Sequence, residues 1–182
     1  FGNLPSHPIT RPPFDGSSHA SNERRIGFFG SLHHPIDPFC RQLKNLSQKA
    51  GTTLTLFWGG HGSDRAKSYW EGAKKRHACE TLRFETFGHL APREASYCLQ
   101  TLHFVASTYS PVFYPKSGVI AAAREHGKAV ILLGATETLT HPSLPEGVYS
   151  HLTPELLLNP PTPAHYNPLS TVAETYEHFI KS

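Results

Sequence analysis

Tyr114-Pro-Lys-Ser-Gly-Val-Ile-Ala-Ala-Ala-Arg-Glu-His-Gly-Lys-Ala-Val-Ile-Leu-Leu133 reads as a loop, a helix N-terminus, a short helix, a glycine stop and a buried strand. Pro115 ends whatever precedes it, and Ser117 or Lys116 caps a helix that runs through Val119 to His126, where Gly127 stops it. The short apolar run from Ala129 to Leu133 is a buried strand. The first turn of such a helix carries N–H groups with no intrahelical acceptor and the positive end of the helix dipole. Ser117 adds a hydroxyl and Gly118 admits an anion close to the backbone, which makes a seat for a phosphate or diphosphate. The segment fits an ordinary α/β unit equally well, with a helix N-terminus that meets only water.

Working outward, the same alternation repeats. Arg25 to Phe29 is a short buried strand ending at Gly30-Ser31, and after His33, His34 and Pro35 a helix opens at Pro38 and runs to about Ala50. Thr52 to Trp58 is a second strand, running into Gly59-Gly-His-Gly62, and Ser63 or Asp64 caps a helix to about His77 with Tyr69 and Ala73 on its inner face. Thr81 to Phe87 alternates as a half-exposed edge strand does. Pro92 starts a helix whose Ala95, Leu99 and Leu102 share a face, and Phe104 to Ser107 is a fourth strand. Five strand–helix alternations predict an α/β fold with a Rossmann-like, doubly wound parallel sheet.

Residues 1–23 hold Pro5, Pro8, Pro12, Pro13 and Gly16 with little hydrophobic periodicity, so they read as a linker or N-terminal arm. Residues 24–160 form the Rossmann-like domain. Residues 161–182 are an extension in which Ser170 caps a terminal helix from Thr171 to Lys181; Thr138 to Tyr166 is rich in proline and threonine, with Leu156-Leu-Leu158 as a last strand or helical turn.

The chain has 182 residues, 38% of them hydrophobic and 17% charged, as in a globular domain with a substantial core. Seventeen basic and 14 acidic residues give a net charge of +3 with no dense basic run, which argues against a nucleic-acid surface. Cys40, Cys79 and Cys98 are too few and too widely spaced for a disulfide framework or a zinc knuckle, so a reducing, cytosolic setting is expected. No apolar window is long enough to span a bilayer; membrane contact, if any, is peripheral, at the inner membrane face. The absence of methionine suggests a piece of a longer chain.

In a parallel α/β sheet ligands sit beyond the carboxyl ends of the strands. The loops there are Gly30-Ser-Leu-His-His34, Gly59-Gly-His-Gly62, Gly88-His-Leu90, Ser107-Thr-Tyr-Ser-Pro111 and Gly134-Ala-Thr-Glu-Thr138, and four of these five contain glycine. The helix N-terminus at Lys116-Ser117-Gly118 opens onto the same rim.

The order Gly-Phe-Phe-Gly-Ser-Leu-His, Trp-Gly-Gly, Phe-Gly-His-Leu, Leu-Gln-x-Leu-x-Phe-x-Ala-Ser and Lys-Ser-Gly-x-x-x-Ala-Ala-x-x-His-Gly-Lys-Ala-Val, over about residues 24 to 135, resembles the C-terminal, donor-binding half of GT-B, family 4-like nucleotide-sugar-dependent glycosyltransferases. Gly2-Asn-Leu-Pro5 resembles the hinge that ends the N-terminal domain in part of that group. The resemblance implies a nucleotide diphospho-sugar donor on this half, transfer with retention, no metal or other cofactor, and an N-terminal Rossmann-like acceptor domain outside this chain; the fragment alone would be inactive. It places the donor diphosphate at Gly30, Ser31, Lys116, Ser117, Gly118 and Val119, with Lys116 as the catalytic leaving-group cation. It places the nucleobase and ribose at Gly88, His89 and Leu90. The family's Glu-x7-Glu pattern falls on Tyr114 and Ala122, neither acidic, so the glutamate that holds the ribose is absent unless Glu125, one turn later, takes its place. The basic clamp usual after the first and second strands has no counterpart after Gly30 or Trp58, whereas Lys-Ser-Gly replaces the first glutamate in a subset of the family.

Thirteen histidines invite a metal reading, but no His-x3-His pair or His/Cys clustering with zinc spacing occurs, so His33, His34, His61 and His89 read as solvent- or ligand-facing. His33 and Tyr109 are kept as candidates for the sugar pocket. Ser31 and Ser117 lack a nucleophile elbow, Cys40 and Cys98 fall on inner helix faces, and Phe57, Trp58, Phe84 and Phe87 read as packing. Three classes remain: the glycosyltransferase donor half, a non-catalytic nucleotide-binding or regulatory module, and a structural interaction domain.

Overall fold

The structure, a computed structural model, describes residues 22–60, 62–109, 117–133 and 144–161. In chain order its elements are β1 (Glu23–Phe29), α1 (Asp37–Ala50), β2 (Thr53–Gly59), α2 (Asp64–His77), β3 (Leu82–Gly88), α3 (Pro92–Thr101), β4 (Phe104–Ser107), α4 (Gly118–Glu125), β5 (Ala129–Leu132), β6 (Val148–Tyr149) and α5 (Pro154–Leu158). The strands form one six-stranded sheet in the order β3-β2-β1-β4-β5-β6, and every pairing between neighbours is parallel. This is the Rossmann-like, doubly wound α/β fold, with the strand order reversing between β1 and β4.

Local chemistry sets the element ends. Pro38 sits in the first turn of α1, and Gly51, at φ 62°, ends it in the left-handed region. Ser63 caps α2 by accepting from the amide of Ala66 at 3.2 Å, and Glu94 reaches back to the amide of Ala91 at 2.7 Å at the head of α3. Ser117 caps α4, the second of the two alternatives for that cap being Lys116, which lies outside the described residues.

Alternation along the strands feeds two cores. Ile26, Phe28, Leu54, Leu56, Trp58, Leu82, Phe84, Phe104 and Ile131 face α1, α2 and α5, where Trp70 packs edge-on against Phe28 and Phe84 with centroids 6.0 and 5.3 Å away. Phe57, Val105, Val130 and Leu132 face the other way, against Leu99 and Leu102 of the α3 segment and Ile120 and Ala123 of α4. Burying each such side chain is worth about 1.5–3 kcal/mol relative to leaving it in water. Cys40 and Cys98 are buried, as their helix faces predict. Strand β3 lies at the sheet edge with Arg83 and Glu85 exposed, in agreement with its alternating pattern.

Two elements extend the sequence reading. Leu156-Leu-Leu158 is helical, the end of α5, whose cap Thr153 accepts from the amide of Leu156. The two-residue strand β6 was not anticipated; it extends the sheet beyond β5. Strand β5 ends at Leu132, one residue before the expected Leu133. The expected helix from Thr171 to Lys181 lies outside the described residues, as do His61, Tyr114 and the loop from Gly134 to Thr138.

Candidate functional site

In this topology α4 connects the carboxyl end of β4 to the start of β5, so its N-terminus opens on the rim formed by the strand ends. Ser117 is 6% exposed, and its Oγ accepts from the amide of Ile120 at 3.4 Å. The amides of Gly118 and Val119 are then first-turn donors with no intrahelical acceptor. The Ser117 hydroxyl proton remains available to donate, because the cap uses the oxygen as acceptor. Gly118 is exposed and has open space where a Cβ would stand.

Across the switch point, the loops after β1 and β4 are joined. The amide of His33 donates to Oγ1 of Thr108 at 3.0 Å, and the rings of His33 and Tyr109 lie 4.9 Å apart at 56°. The two residues taken for the sugar pocket, 76 positions apart in the sequence, thus form a single aromatic wall. His33 is exposed and Tyr109 is 37% exposed, so the wall faces outward.

The glycines of the first three rim loops do something the sequence reading missed. The amide of Gly30 donates to the carbonyl of Gly59 at 2.8 Å, while the Gly30 carbonyl accepts from the Trp58 indole at 2.9 Å. The amide of Gly60 donates to the carbonyl of Gly88 at 2.6 Å. The sheet ladder thus continues into the loops, and the Gly30 amide is not free to grip a phosphate. A Cβ on Gly60 would stand 2.8 Å from the Gly30 nitrogen, so glycine here is required for one loop to lie on the next. A Cβ on Gly30 would meet nothing within 4 Å, which leaves its outer side open to a ligand. Ser31 is exposed beside it.

The remaining candidates are spread out. Gly88 and His89 are exposed at the end of β3, and the Leu90 side chain lies over Gly59, where a Cβ would meet its Cδ1 at 2.7 Å. Strand β3 is separated from β4 by β2 and β1, which puts that loop about 10 Å from β1 and about 14 Å from β4, the strands on either side of the switch point. Glu125 is the last residue of α4, about 10 Å along the helix from Gly118 and at the end away from the rim. The structure therefore brings Ser117, Gly118 and Val119 to the crevice end of α4 and joins His33 to Tyr109, but it does not gather Glu125 with Gly88, His89 and Leu90. Lys116 lies outside the described residues.

Electrostatically, the described residues of these loops include no Lys or Arg, so the fixed positive potential among them comes from the α4 N-terminus. No three His, Cys, Asp or Glu side chains come together as metal ligands among the described residues. A Ser–His pair with no local sequence signal lies at the far end of α4: Ser96 Oγ is 2.8 Å from His126 Nε2, and His126 Nδ1 is 2.8 Å from the Ala122 carbonyl. A carbonyl only accepts, so Nδ1 carries a proton; in the neutral ring the Ser96 hydroxyl then donates to Nε2. Ser96 is fully buried, and the pair ties α3 to α4 rather than meeting a substrate. Nearby, burial holds the Lys128 ammonium below its usual range while its Nζ donates to the Gln100 carbonyl at 2.8 Å.

No family model and no curated protein matches the sequence. Among solved structures, a protein assigned as a UDP-N-acetylglucosamine 2-epimerase from Listeria monocytogenes aligns with 66% of this chain and 31% of its own, at 13% identity and a TM-score of 0.43. HepE from Anabaena, solved with UDP and glucose, aligns with 61% of this chain and 29% of its own, at 22% identity and a TM-score of 0.40. MnaA of S. aureus, solved with UDP, aligns with 66% of this chain and 32% of its own, at 14% identity and a TM-score of 0.43. This chain spans about a third of the length of each.

Proposed function

We propose that the chain is the donor-binding half of a GT-B glycosyltransferase of the hexosyltransferase type, taking a sugar from a nucleotide diphospho-sugar and transferring it with retention. The acceptor would be held by an N-terminal Rossmann-like domain outside this chain. The observation behind this reading is the arrangement at the point where the strand order reverses: the loops after β1 and β4 meet through His33 and Tyr109, and α4, capped by Ser117, follows β4 in the chain. The diphosphate would take hydrogen bonds from the Gly118 and Val119 amides and the Ser117 hydroxyl, with Lys116 supplying the countercharge and Gly30 and Ser31 the open floor. The sugar would lie against His33 and Tyr109, and the base would lie toward Gly88, His89 and Leu90.

In the reaction the bond from the anomeric carbon to the phosphate oxygen breaks and its electron pair leaves with the nucleoside diphosphate, while an acceptor hydroxyl oxygen bonds to the same face of that carbon and gives its proton to the departing phosphate. Donors fixed where that charge grows lower the barrier, because they need no reorganisation during the step. A helix terminus at an exposed site contributes only about 0.3–1 kcal/mol, so Lys116 and the hydrogen bonds must provide most of the stabilisation. No metal or other cofactor enters this reading.

The test is titration of the chain with UDP, GDP, ADP and their sugars by calorimetry and thermal shift. One nucleoside diphosphate series should bind, and Lys116→Ala should weaken it severalfold or more. Unchanged affinity in the variant removes Lys116 from the site, and no binding by any nucleotide removes the donor site. A second reading, a nucleotide-binding or regulatory module without transfer, is favoured by one observation: the Gly30 amide is committed to Gly59. Nucleotide binding without donor turnover, after addition of the partner domain, would select it.

A further inference from the structure

Charge is divided unevenly over this fold. Helices α1 and α2 carry eight Lys or Arg against three Asp or Glu, while the other described residues carry six against seven. The positive excess of the described residues thus lies on a single layer, the two helices packed side by side on one face of the sheet. Arg41, Lys49, Lys74 and Lys75 are exposed there and Lys44 is half-exposed. None of these five forms a salt bridge with a carboxylate among the described residues, whereas Lys67 and Arg76 in the same layer are paired with Asp64 and Asp37. Basic residues in the last turn of a helix complement its dipole, which accounts for Lys49, Lys74 and Lys75 locally but not for the excess over both helices.

We propose that the outer face of α1 and α2 is a docking surface for an anionic lipid bilayer, held by the headgroup charge. Its form selects this partner. The two helices lie against the sheet, so neither projects as a groove-entering element. The exposed large hydrophobic residues among those described, Tyr109 and Leu158, belong to neither helix, so the face has no aromatic platform for single-stranded bases and no wedge for insertion into acyl chains. What remains is a broad surface on which exposed basic side chains outnumber acidic ones, Glu71 being the exposed acid one turn from Lys74 and Lys75, and a net positive surface gains from the negative potential of an anionic leaflet. Contact through it leaves the rim at the end of the sheet open. The inference is independent of the proposed donor site.

The test is co-sedimentation of the full chain with phosphatidylcholine vesicles, with and without phosphatidylserine. Binding should require phosphatidylserine and be lost as added salt screens it. Neutralising one such lysine should lower the partition about fivefold, so Lys49→Gln, Lys74→Gln and Lys75→Gln together should lower it on the order of a hundredfold. Arg83→Gln with Arg93→Gln, elsewhere on the surface, should leave it unchanged. Circular dichroism checks the fold of the triple variant, and Arg41→Gln with Lys44→Gln provides a second set on α1 alone. Equal binding to both vesicle types, or binding indifferent to both lysine and arginine sets, overturns the proposal. Binding of a DNA duplex or single strand through the same residues, with no vesicle binding, also overturns it.

Discussion

Gly60 is where backbone geometry and the rim meet. Its φ of 120° is a conformation that side chains other than glycine rarely adopt, and its Cα side faces the Gly30 backbone. Gly60→Ala must therefore either push the Gly30 loop away or abandon that φ, and a strained position of this kind costs about 1–3 kcal/mol. Gly30→Ala carries a strained φ of 76° but meets open space, so it should cost only the left-handed penalty of about 1–2 kcal/mol. Urea unfolding of the two variants compares them; a Gly60→Ala midpoint at or above that of Gly30→Ala would show that the loop contact does not constrain the rim. Rim glycines look alike in a sequence, whether they admit a ligand or another loop. Gly30 and Gly60 could be recognised as glycine-demanding turns, but that the Gly30 amide is spent on Gly59 depends on strands 30 residues apart being neighbours. The His33–Tyr109 contact is likewise beyond local reading: each residue stands out in its own loop, but their junction follows from β1 and β4 lying side by side.

At the level of elements, the reading was most complete where several signals coincided. Strand β2 has an apolar run bounded by Gly51 and Gly59-Gly60; α2 has a serine cap and an apolar inner stripe; the bounds of both agree with the sequence pattern to within a residue. The shorter pieces gave less. Strand β6 has two residues, too few for a periodicity, and Leu156-Leu-Leu158 suits a strand or a helix until Thr153 is seen to cap it. What ties α1 to α2 was not legible at all. Asp37 receives Nε and Nη2 of Arg76 at 2.7 and 2.9 Å and lies 3.1 Å from Nε2 of His77, a contact across some 40 residues. The Arg76 hydrogen bond, opposed by partial burial and helped by His77, holds the Asp37 carboxyl below the ordinary aspartate range. A carboxyl lowered on folding stabilises above its unfolded pKa, near ~4, and that stability is lost as the pH falls through the lower folded value. Asp37→Asn should therefore lower the unfolding midpoint at neutral pH, by a small amount because the Arg76 side chain is 58% exposed. The difference from the parent should shrink as the pH drops below ~4 and disappear in stronger acid. A difference that is constant across that range would mean the pair does not contribute through its charge.

For the whole molecule, the question is whether the two cores are one cooperative unit. Each lies on its own side of the sheet, but both are built from alternate residues of the same strands: Phe57 points one way from β2 while Leu56 and Trp58 point the other. Peeling off one layer would expose the reverse side of strands that the other layer needs, which argues for joint unfolding. The cysteines report on this without added probes. Cys40, on α1, has its thiol pushed up to about 12 by burial and then by the Asp37 carboxylate. Cys98, on α3 across the sheet, is pushed up to about 11 by burial, with Glu94 adding to the shift. Burial also works to raise Cys79, but hydrogen bonds from Thr81 and the Leu82 amide outweigh it and leave that half-buried thiol below the ordinary range. Thiolates are the reactive form, so iodoacetamide should modify Cys79 in the native protein and leave Cys40 and Cys98 untouched. In rising urea, mass spectrometry should show Cys40 and Cys98 becoming reactive together, at the midpoint seen by circular dichroism. Earlier labelling of Cys98 would mean that the α3–α4 layer opens while the α1–α2 layer holds, and the sheet would then be a boundary between two units rather than the middle of one.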